Sequence, residues 1–329
     1  MSLRLAFDWE DLQRVRLASR PDVMWELVLG LNRLRDPRIG VQLSRWQRQT
    51  RVRLRSGKSH QHWQKTLFTL VPYPGLFPDF LTPAPSFADI GAACEAIAGT
   101  GRGRLRTDLT TAFPDATRPP VWLRELAEGN RGEISSVVDS VHAAYEHLVA
   151  PQWDAVRGSV SADRTARTQV LGHHGVEALL AGIPGVEGWD GQVLNIRYPR
   201  TRTVHLAGRG LTLVPSYFCA SPVSLIDPDL PPILVYPTAA RIQAEGAQVP
   251  RRLVALLGQT RAECLAALVT PCTTTTLAER LGMSVGNASK QAAVLREAGL
   301  ATARRQGRSV LHHLTHLGEQ LLVGADVLR

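Results

Sequence analysis

Residues 275–322, TTLAERLGMSVGNASKQAAVLREAGLATARRQGRSVLHHLTHLGEQLL, decide the predicted fold of the C-terminal part of the chain. The stretch opens with a short run, Leu277–Leu281, that a threonine at or next to Thr276 can cap as a helix. Gly282 follows, and glycine most easily takes the left-handed conformation that ends a helix in a tight turn. A short helix followed by such a turn predicts the first half of a helix-turn-helix.

A second predicted helix begins after Ser284 and runs to about Ala298. The Ser284 hydroxyl can cap it, and Ala288, Ala292 and Leu295 should face inward because they lie three or four residues apart. Polar residues near the start of such a helix reach base edges when the helix enters the major groove of DNA. The predicted DNA-contacting residues of this helix are Ser284, Val285, Asn287, Ser289, Lys290 and Gln291.

A β-hairpin is predicted directly after this helix. Gly299 ends the helix, Leu300–Arg304 forms a strand, Gln306 and Gly307 form the turn, and Ser309–Leu314 forms the returning strand. A basic hairpin of this kind can lie along the DNA backbone or enter the minor groove. Its predicted DNA-contacting residues are Arg304, Arg305, Gln306 and Arg308.

Further helices flank this segment. One is predicted to end at Gly258, a second stops before Pro271, and a last one runs over Leu317–Leu328. The last helix is expected to keep three leucines on one side and to pack against its copy in a dimer: Leu317, Leu321 and Leu322. Residues 251–329 carry ten Arg or Lys and five Asp or Glu, a net +5 of the +9 of the whole chain.

The quoted segment resembles the ArsR family of winged-helix repressors. The resemblance implies that Val285–Ala298 reads the major groove, that Leu300–Leu314 is the wing, and that homodimers bind palindromic operators. The stretch WELVLGLNRLRDP, 25–37, is also similar to larger actinobacterial members with an uncharacterised N-terminal region. Metal-sensing members carry a cysteine pair where this chain has Thr273–Thr276, so the resemblance predicts an input other than thiolate-bound metal.

The N-terminal part is predicted to be mostly helical, with a small β-sheet after Gly185. A strand and a helix open the chain, and Gln192–Tyr198 with Thr203–Leu206 is expected to form a hairpin. The predicted class is α+β, mostly helical. The predicted domains are a helical domain for dimerisation or sensing at 1–184, a small β-rich subregion packed on it at 185–245, and a winged helix-turn-helix at 251–329.

The composition fits a cytosolic protein of more than one domain. The chain has 329 residues, no apolar run near the roughly 18 residues of a membrane helix, and no signal-peptide pattern at its start. Its charge of +9 favours polyanionic partners, of which nucleic acid is the commonest in the cytosol. Four scattered cysteines without CxxC pairs are read as buried or incidental thiols: Cys94, Cys219, Cys264 and Cys272.

Several other patterns leave alternatives open. Bases interleaved with Trp46 and Trp63 can mark nucleic-acid contact, or the aromatic side chains can pack inward while the bases are solvated. The pair His173–His174 lacks a spaced ligand partner, and 99–106, GTGRGRLR, lacks the P-loop lysine. The remaining histidines near the hairpin fit a solvated strand end at least as well as a metal site: His312, His313 and His316.

The sequence thus predicts a cytoplasmic transcription regulator without a cofactor, a homodimeric repressor that binds an inverted repeat in double-stranded DNA. A small-molecule ligand of unidentified class is a further expected partner, and a membrane is not. One alternative is an enzyme or ligand-binding module in the N-terminal part with an accessory winged helix. Another is a winged helix that serves protein association.

Overall fold

The structure is a computed structural model of the whole chain, mixed α+β and mostly helical, as the sequence predicted. It divides into two compact units, Met1–Arg38 with Gln47–Thr238 and Ile39–Trp46 with Ala239–Arg329. The residues that it describes are 2–37, 39, 41–55, 61–84, 86–114, 119–198, 201–225, 227–238, 251–268, 272–306 and 309–323.

Helices dominate the chain up to Thr238. They are α1 Trp9–Gln13, α2 Val23–Arg35, α3 Val41–Arg55, α4 Gln61–Leu70, α5 Ile90–Ala98, α6 Arg102–Ala112, α7 Val121–Ala127, α8 Arg131–Leu148 and α9 Trp153–Ala181. The described residues of this part also contain two 3₁₀ turns, Asp79–Leu81 and Ala150–Gln152. None of the helices in the described ranges combines the length and apolar character needed to cross a lipid bilayer.

Eight strands lie in the described residues of this same part. They are β1 Ser2–Ala6, β2 Arg16–Leu17, β3 Val186–Trp189, β4 Val193–Arg197, β5 Arg202–His205, β6 Thr212–Ser216, β7 Val223–Ser224 and β8 Ile233–Pro237. They form two four-stranded sheets, in the orders β3-β4-β1-β5 and β2-β6-β8-β7. The sequence predicted one small sheet, whereas the structure has two. The N-terminal strands β1 and β2 each join one of these sheets.

The predicted hairpin between Gln192–Tyr198 and Thr203–Leu206 is wrong. β1 lies between β4 and β5, pairing antiparallel with β4 and parallel with β5. Leu3 and Leu5 of β1 are 1% and 2% exposed, which a strand achieves when neighbours cover it on both edges and one face. Two strand-like segments that follow each other in sequence are therefore separated in the sheet.

The second sheet is built on parallel pairing. β6 pairs in parallel with β2 and β8, and β7 closes the far edge antiparallel to β8. All five residues of β8, Ile233–Pro237, are buried, the pattern of a strand covered on both faces. One apolar core joins residues of both sheets to the end of α9: Leu3, Leu5, Leu179, Leu180, Leu194, Ile196, Leu213, Leu234 and Tyr236.

α8 is the central helix of the helical layer, in contact with α2, α4, α5 and α7. Its buried side is formed by Val137, Ser140, Val141, Ala144 and Leu148. Trp63 of α4 is 2% exposed, and its ring stacks on that of His147 with 6.4 Å between the centroids. Trp46 of α3 is 4% exposed. Both tryptophans are buried, which confirms the inward-packing interpretation of this segment.

Two helices in this part owe a local feature to a single residue. Asp89 caps α5, because its carboxylate accepts a hydrogen bond from the Ala92 N–H at 2.9 Å. α9 is broken at Gly175, whose φ of +80° places it outside helical geometry. His173 and His174, just before this break, are both exposed.

The segment 99–106 is used structurally through Arg104 of α6. This guanidinium forms ion pairs with Asp108 at 2.8 Å and with Asp227 at 2.7 Å, and Asp79 lies 3.9 Å away. Burial raises the pKa of Asp108 to about 6, although the charge of Arg104 lowers it. Arg104 thus joins α6 to the 79–81 turn and to the loop before β8.

A buried carboxylate joins α2 to the second sheet. Glu26 is 1% exposed and accepts hydrogen bonds from the Ser216 hydroxyl at 3.0 Å, the Tyr217 N–H at 2.8 Å and the Phe218 N–H at 3.0 Å. The carboxylate therefore accepts hydrogen bonds from backbone donors that lie just after β6. Charge-assisted bonds to backbone N–H groups are stronger than neutral ones.

Glu26→Ala should lower the free energy of unfolding by about 2–5 kcal/mol, because it removes the acceptor of the Tyr217 N–H and of the buried Phe218 N–H. Urea denaturation followed by circular dichroism measures the loss. Glu10→Ala is the matched control, since the Glu10 side chain is 67% exposed. Equal, small losses in both variants would contradict the role given to Glu26.

Candidate nucleic-acid interface

The C-terminal segment of the second unit consists of short helices followed by a hairpin. The elements are α10 Arg251–Leu257, α11 Gln259–Ala267, β9 Cys272–Thr273, α12 Thr274–Leu281, α13 Val285–Glu297, β10 Ala301–Gln306, β11 Ser309–Leu314 and α14 His316–Val323. β11 is the middle strand of the order β10-β11-β9, antiparallel to both neighbours. The two-residue strand β9 was not predicted from the sequence.

The turn between α12 and α13 lies where the sequence predicted it, but α12 begins at Thr274, three residues earlier than predicted. Thr273, rather than Thr276 or a threonine next to it, caps α12, with its hydroxyl accepting from the Thr276 N–H at 3.2 Å. Gly282 ends α12 in the left-handed conformation with φ +65°, which glycine adopts without a Cβ clash. The Ser284 hydroxyl then accepts from the Asn287 N–H at 3.3 Å and caps α13.

The inward face of α13 is apolar and small. Ala288 and Ala292 are fully buried and Leu295 is 1% exposed, as the helical spacing predicted. They belong to one core with residues of α11, α12 and β10. Burying this face turns the opposite side of α13 to solvent.

The solvent side of α13 carries the residues predicted to contact DNA. Val285 is 50% exposed, and Gln291 is half-buried. The Gln291 side-chain amide donates to the Asn287 side-chain oxygen at 3.2 Å, which fixes these two amides relative to each other. The exposed polar residues on this side are Ser284, Asn287, Ser289 and Lys290.

The hairpin presents two arginines to solvent. Arg304 and Arg305 lie on β10 opposite Leu311 and Val310 and are exposed. Gln306 ends β10, whereas the side chain of Gln306 and all of Gly307 and Arg308 lie outside the described residues. The structure thus brings an exposed polar helix start and two exposed arginines into one compact unit, in which α13 contacts β10.

Not every arginine of this unit is available to a ligand. Arg280 of α12 donates a hydrogen bond to the Ala267 carbonyl at 3.0 Å, and so links α12 to the end of α11. The sequence alone could not separate such a structural arginine from Lys290 or Arg304, because charge is the same in both settings.

His312 is buried, so its predicted place at a solvated strand end is wrong. It is 4% exposed, and its Nε2 lies 2.9 Å from the Thr274 hydroxyl at the start of α12. The cause is β9, which pairs with β11 and places His312 opposite Cys272 in the middle of the sheet. Leu314, two residues further along β11, packs against the apolar core of the second unit. Because side chains two residues apart in a strand point to the same face, this spacing in the sequence could have indicated that His312 is buried.

The last helix also differs from its prediction. Leu321 and Leu322 of α14 pack against the core of this unit, whereas Leu317 is 55% exposed. The three leucines therefore do not share one environment. The predicted end of this helix, 324–328, lies outside the described residues.

The thiols of the chain are buried, as predicted. Cys94, Cys219, Cys264 and Cys272 are all buried and unbridged. Burial raises the pKa of Cys264 to about 12, so this thiol stays protonated at neutral pH. Within the described ranges, no three or more His, Cys, Asp and Glu side chains are grouped so that they could hold a metal ion.

Comparison with known proteins gives no relative for this chain. No protein-family model, curated protein or solved structure matches it.

The buried imidazole of His312 makes the stability of the second unit depend on pH. Burial lowers the pKa of His312, and the positive charges of Arg296 and His313 lower it further. An unfolded histidine takes up its proton near pH 6.5, before the folded one does. The stabilisation is thus complete above about pH 6.5 and is lost as the pH falls toward the folded pKa.

His312→Gln should reduce the loss of stability between about pH 7.5 and about pH 5, because an amide can replace the bond to Thr274 without titrating. Urea titration with pulsed hydrogen exchange of the β9 and β11 peptides reads the second unit separately. His173→Gln, at an exposed position, is the control and should keep the wild-type pH dependence. The same pH dependence in His312→Gln would show that another group controls it.

Proposed function

We propose that this protein is a DNA-binding transcription regulator whose C-terminal segment is a winged helix-turn-helix. The observation that carries the proposal is α13: a helix that buries alanines on one side and exposes an amide- and lysine-bearing start on the other, directly after the turn at Gly282. A helix presented in this way fits the major groove with its N-terminal residues toward base edges.

The chemistry of the α13 face suits base recognition. The side-chain amides of Asn287 and Gln291 each carry a donor and an acceptor, which complement the N7 acceptor and the N6 donor of adenine in the major groove. The Lys290 ammonium group suits guanine or a phosphate. The exposed Val285 can contact a thymine methyl group. The helix start adds a favourable field for phosphate, since its backbone N–H groups point toward the ligand.

The hairpin supplies a second type of contact. Arg304 and Arg305 are exposed on β10, where guanidinium groups can bind phosphates or enter the minor groove. Such contacts position the protein and add affinity without reading the sequence. The resemblance of 275–322 to ArsR-family repressors supports the same assignment of α13 as reader and β10–β11 as wing.

In this proposal the protein is a cytoplasmic homodimer that represses by binding an inverted repeat. Leu317 of α14, 55% exposed, is the residue of the predicted dimer-forming leucines that can contact a second copy. Thr273–Thr276 offers hydroxyls where a thiolate metal site would need cysteines. The regulatory input is therefore assigned to the first unit, with a small molecule as the expected class of ligand.

Selection of genomic fragments by the full-length protein gives the operator on which the proposal is tested. Lys290→Ala with Gln291→Ala should reduce the ratio of operator to random-duplex affinity by about 10–100-fold, since each good base contact contributes about 1–3 kcal/mol. Fluorescence anisotropy with both duplexes measures this ratio. Arg261→Ala, at an exposed position on α11, is the control and should leave the ratio unchanged.

Arg304→Ala with Arg305→Ala should instead weaken binding to operator and random duplex alike. The slope of log K against log salt should become less steep by roughly 0.9 for each lost phosphate contact. Anisotropy titrations at several salt concentrations give this slope. The proposal is refuted if neither this variant nor the α13 variant changes affinity or specificity.

A further inference from the structure

The region around α3 holds the densest positive charge in the chain. Residues 37–78 contain eight Arg or Lys and no Asp or Glu. This stretch therefore has a net charge of +8, compared with +9 for the whole chain. α3 itself carries five arginines in fifteen residues: Arg45, Arg48, Arg51, Arg53 and Arg55. A surface of one sign at this density attracts polyanions.

The exposed arginines of α3 differ in their hydrogen bonds. Arg51 donates from Nε and Nη2 to the Leu34 carbonyl, at 3.0 and 2.8 Å, and so caps the end of α2. Arg53 is exposed, with long hydrogen bonds to Thr50 and to the His147 carbonyl at 3.2 and 3.4 Å. Arg48 is exposed and has no hydrogen bond or ion pair within the described residues.

Arg48 and Arg53 line an open surface depression of about 580 Å³. The other lining residues are Gln49 and Val52 of α3 and Pro151 and Gln152 of the 3₁₀ turn after α8. Two guanidinium groups and two amides thus face one depression whose lining contains no carboxylate. Guanidinium groups bind phosphate oxygens with two parallel hydrogen bonds, a geometry that ammonium groups lack.

The shape and the aromatic residues of this region favour double-stranded DNA over single strands. Proteins that bind single strands stack unpaired bases on exposed aromatic rings. Here Trp46 and Trp63 are 4% and 2% exposed, so neither ring is available for stacking. The fifteen residues of α3 span about 22 Å at 1.5 Å per residue, long enough to follow several phosphates of a duplex.

We infer that the exposed face of α3 around Arg48, Val52 and Arg53 binds the sugar-phosphate backbone of double-stranded DNA without reading its sequence. The inference rests on the proposed function, to which it adds a second DNA-binding surface outside the winged helix. In this arrangement α13 supplies specificity, and α3 supplies part of the salt-dependent affinity for any duplex.

The test uses the full-length protein with its selected operator and with a random duplex of the same length. Arg48→Gln with Arg53→Gln should weaken binding to both duplexes equally and leave their affinity ratio unchanged. The slope of log K against log salt should become less steep by roughly 1.8, or about 0.9 per phosphate contact. Anisotropy over about 50–200 mM salt provides the slope.

A variant with the same change in net charge is the control. Arg102→Gln with Arg197→Gln removes two exposed arginines of the first unit that pair with Glu128 and Glu187. If the α3 variant and this control have the same slope and affinity, the inference is overturned while the proposed function stands. A preference of the wild-type protein for a single strand over the duplex overturns it as well.

Failure of the proposed function gives a different result. If the wild-type protein binds no duplex, both proposals are overturned at once. If the Lys290 and Gln291 variant keeps its specificity while the α3 variant loses salt-dependent affinity, the reading role of α13 is overturned and the α3 surface is supported.

Discussion

The first unit depends on the pairing of β1 along both of its edges. β4 binds one edge antiparallel and β5 binds the other in parallel, so that without Ser2–Ala6 the sheet would separate into two parts. Two buried carboxylates repeat the same long-range connection. Asp11 accepts from the Gly210 N–H at 2.8 Å, and Glu26 accepts from backbone groups after β6. The beginning of the chain is thereby fixed to residues 193–218 by strand pairing and by hydrogen bonds to buried carboxylates.

In the second unit, local caps set the position of α13. Thr273 and Ser284 cap successive helices, and Gly282 reverses the chain between them. The burial of Ala288 and Ala292 then determines which side of α13 faces solvent. Alanine allows close approach of α13 to its neighbours, and the polar residues remain outside as a consequence of the 3.6-residue period.

Charge is distributed unevenly, and its two positive regions lie in different parts of the sequence. Residues 37–78 carry a net +8 and residues 251–329 a net +5, whereas the rest of the chain carries a net −4. Only some of these bases remain available to a partner. Arg280 and the exposed Arg51 bind backbone carbonyls, whereas Arg48, Lys290 and Arg304 are exposed and make no such bond within the described residues. The distribution favours a polyanion as partner and suits two separate contacts with it.

The sequence by itself determined the local structure: the mostly helical class, the Ser284 cap of α13, the glycines that follow α12 and α13, and the antiparallel strands β10 and β11. These features depend on residues within a few positions of one another, which the sequence displays directly. Tertiary structure alone decided that β1 separates β4 from β5, that β9 covers His312, and that Leu317 stays exposed. Burial and strand order are set by residues far apart in the chain, and no local pattern records which of them meet.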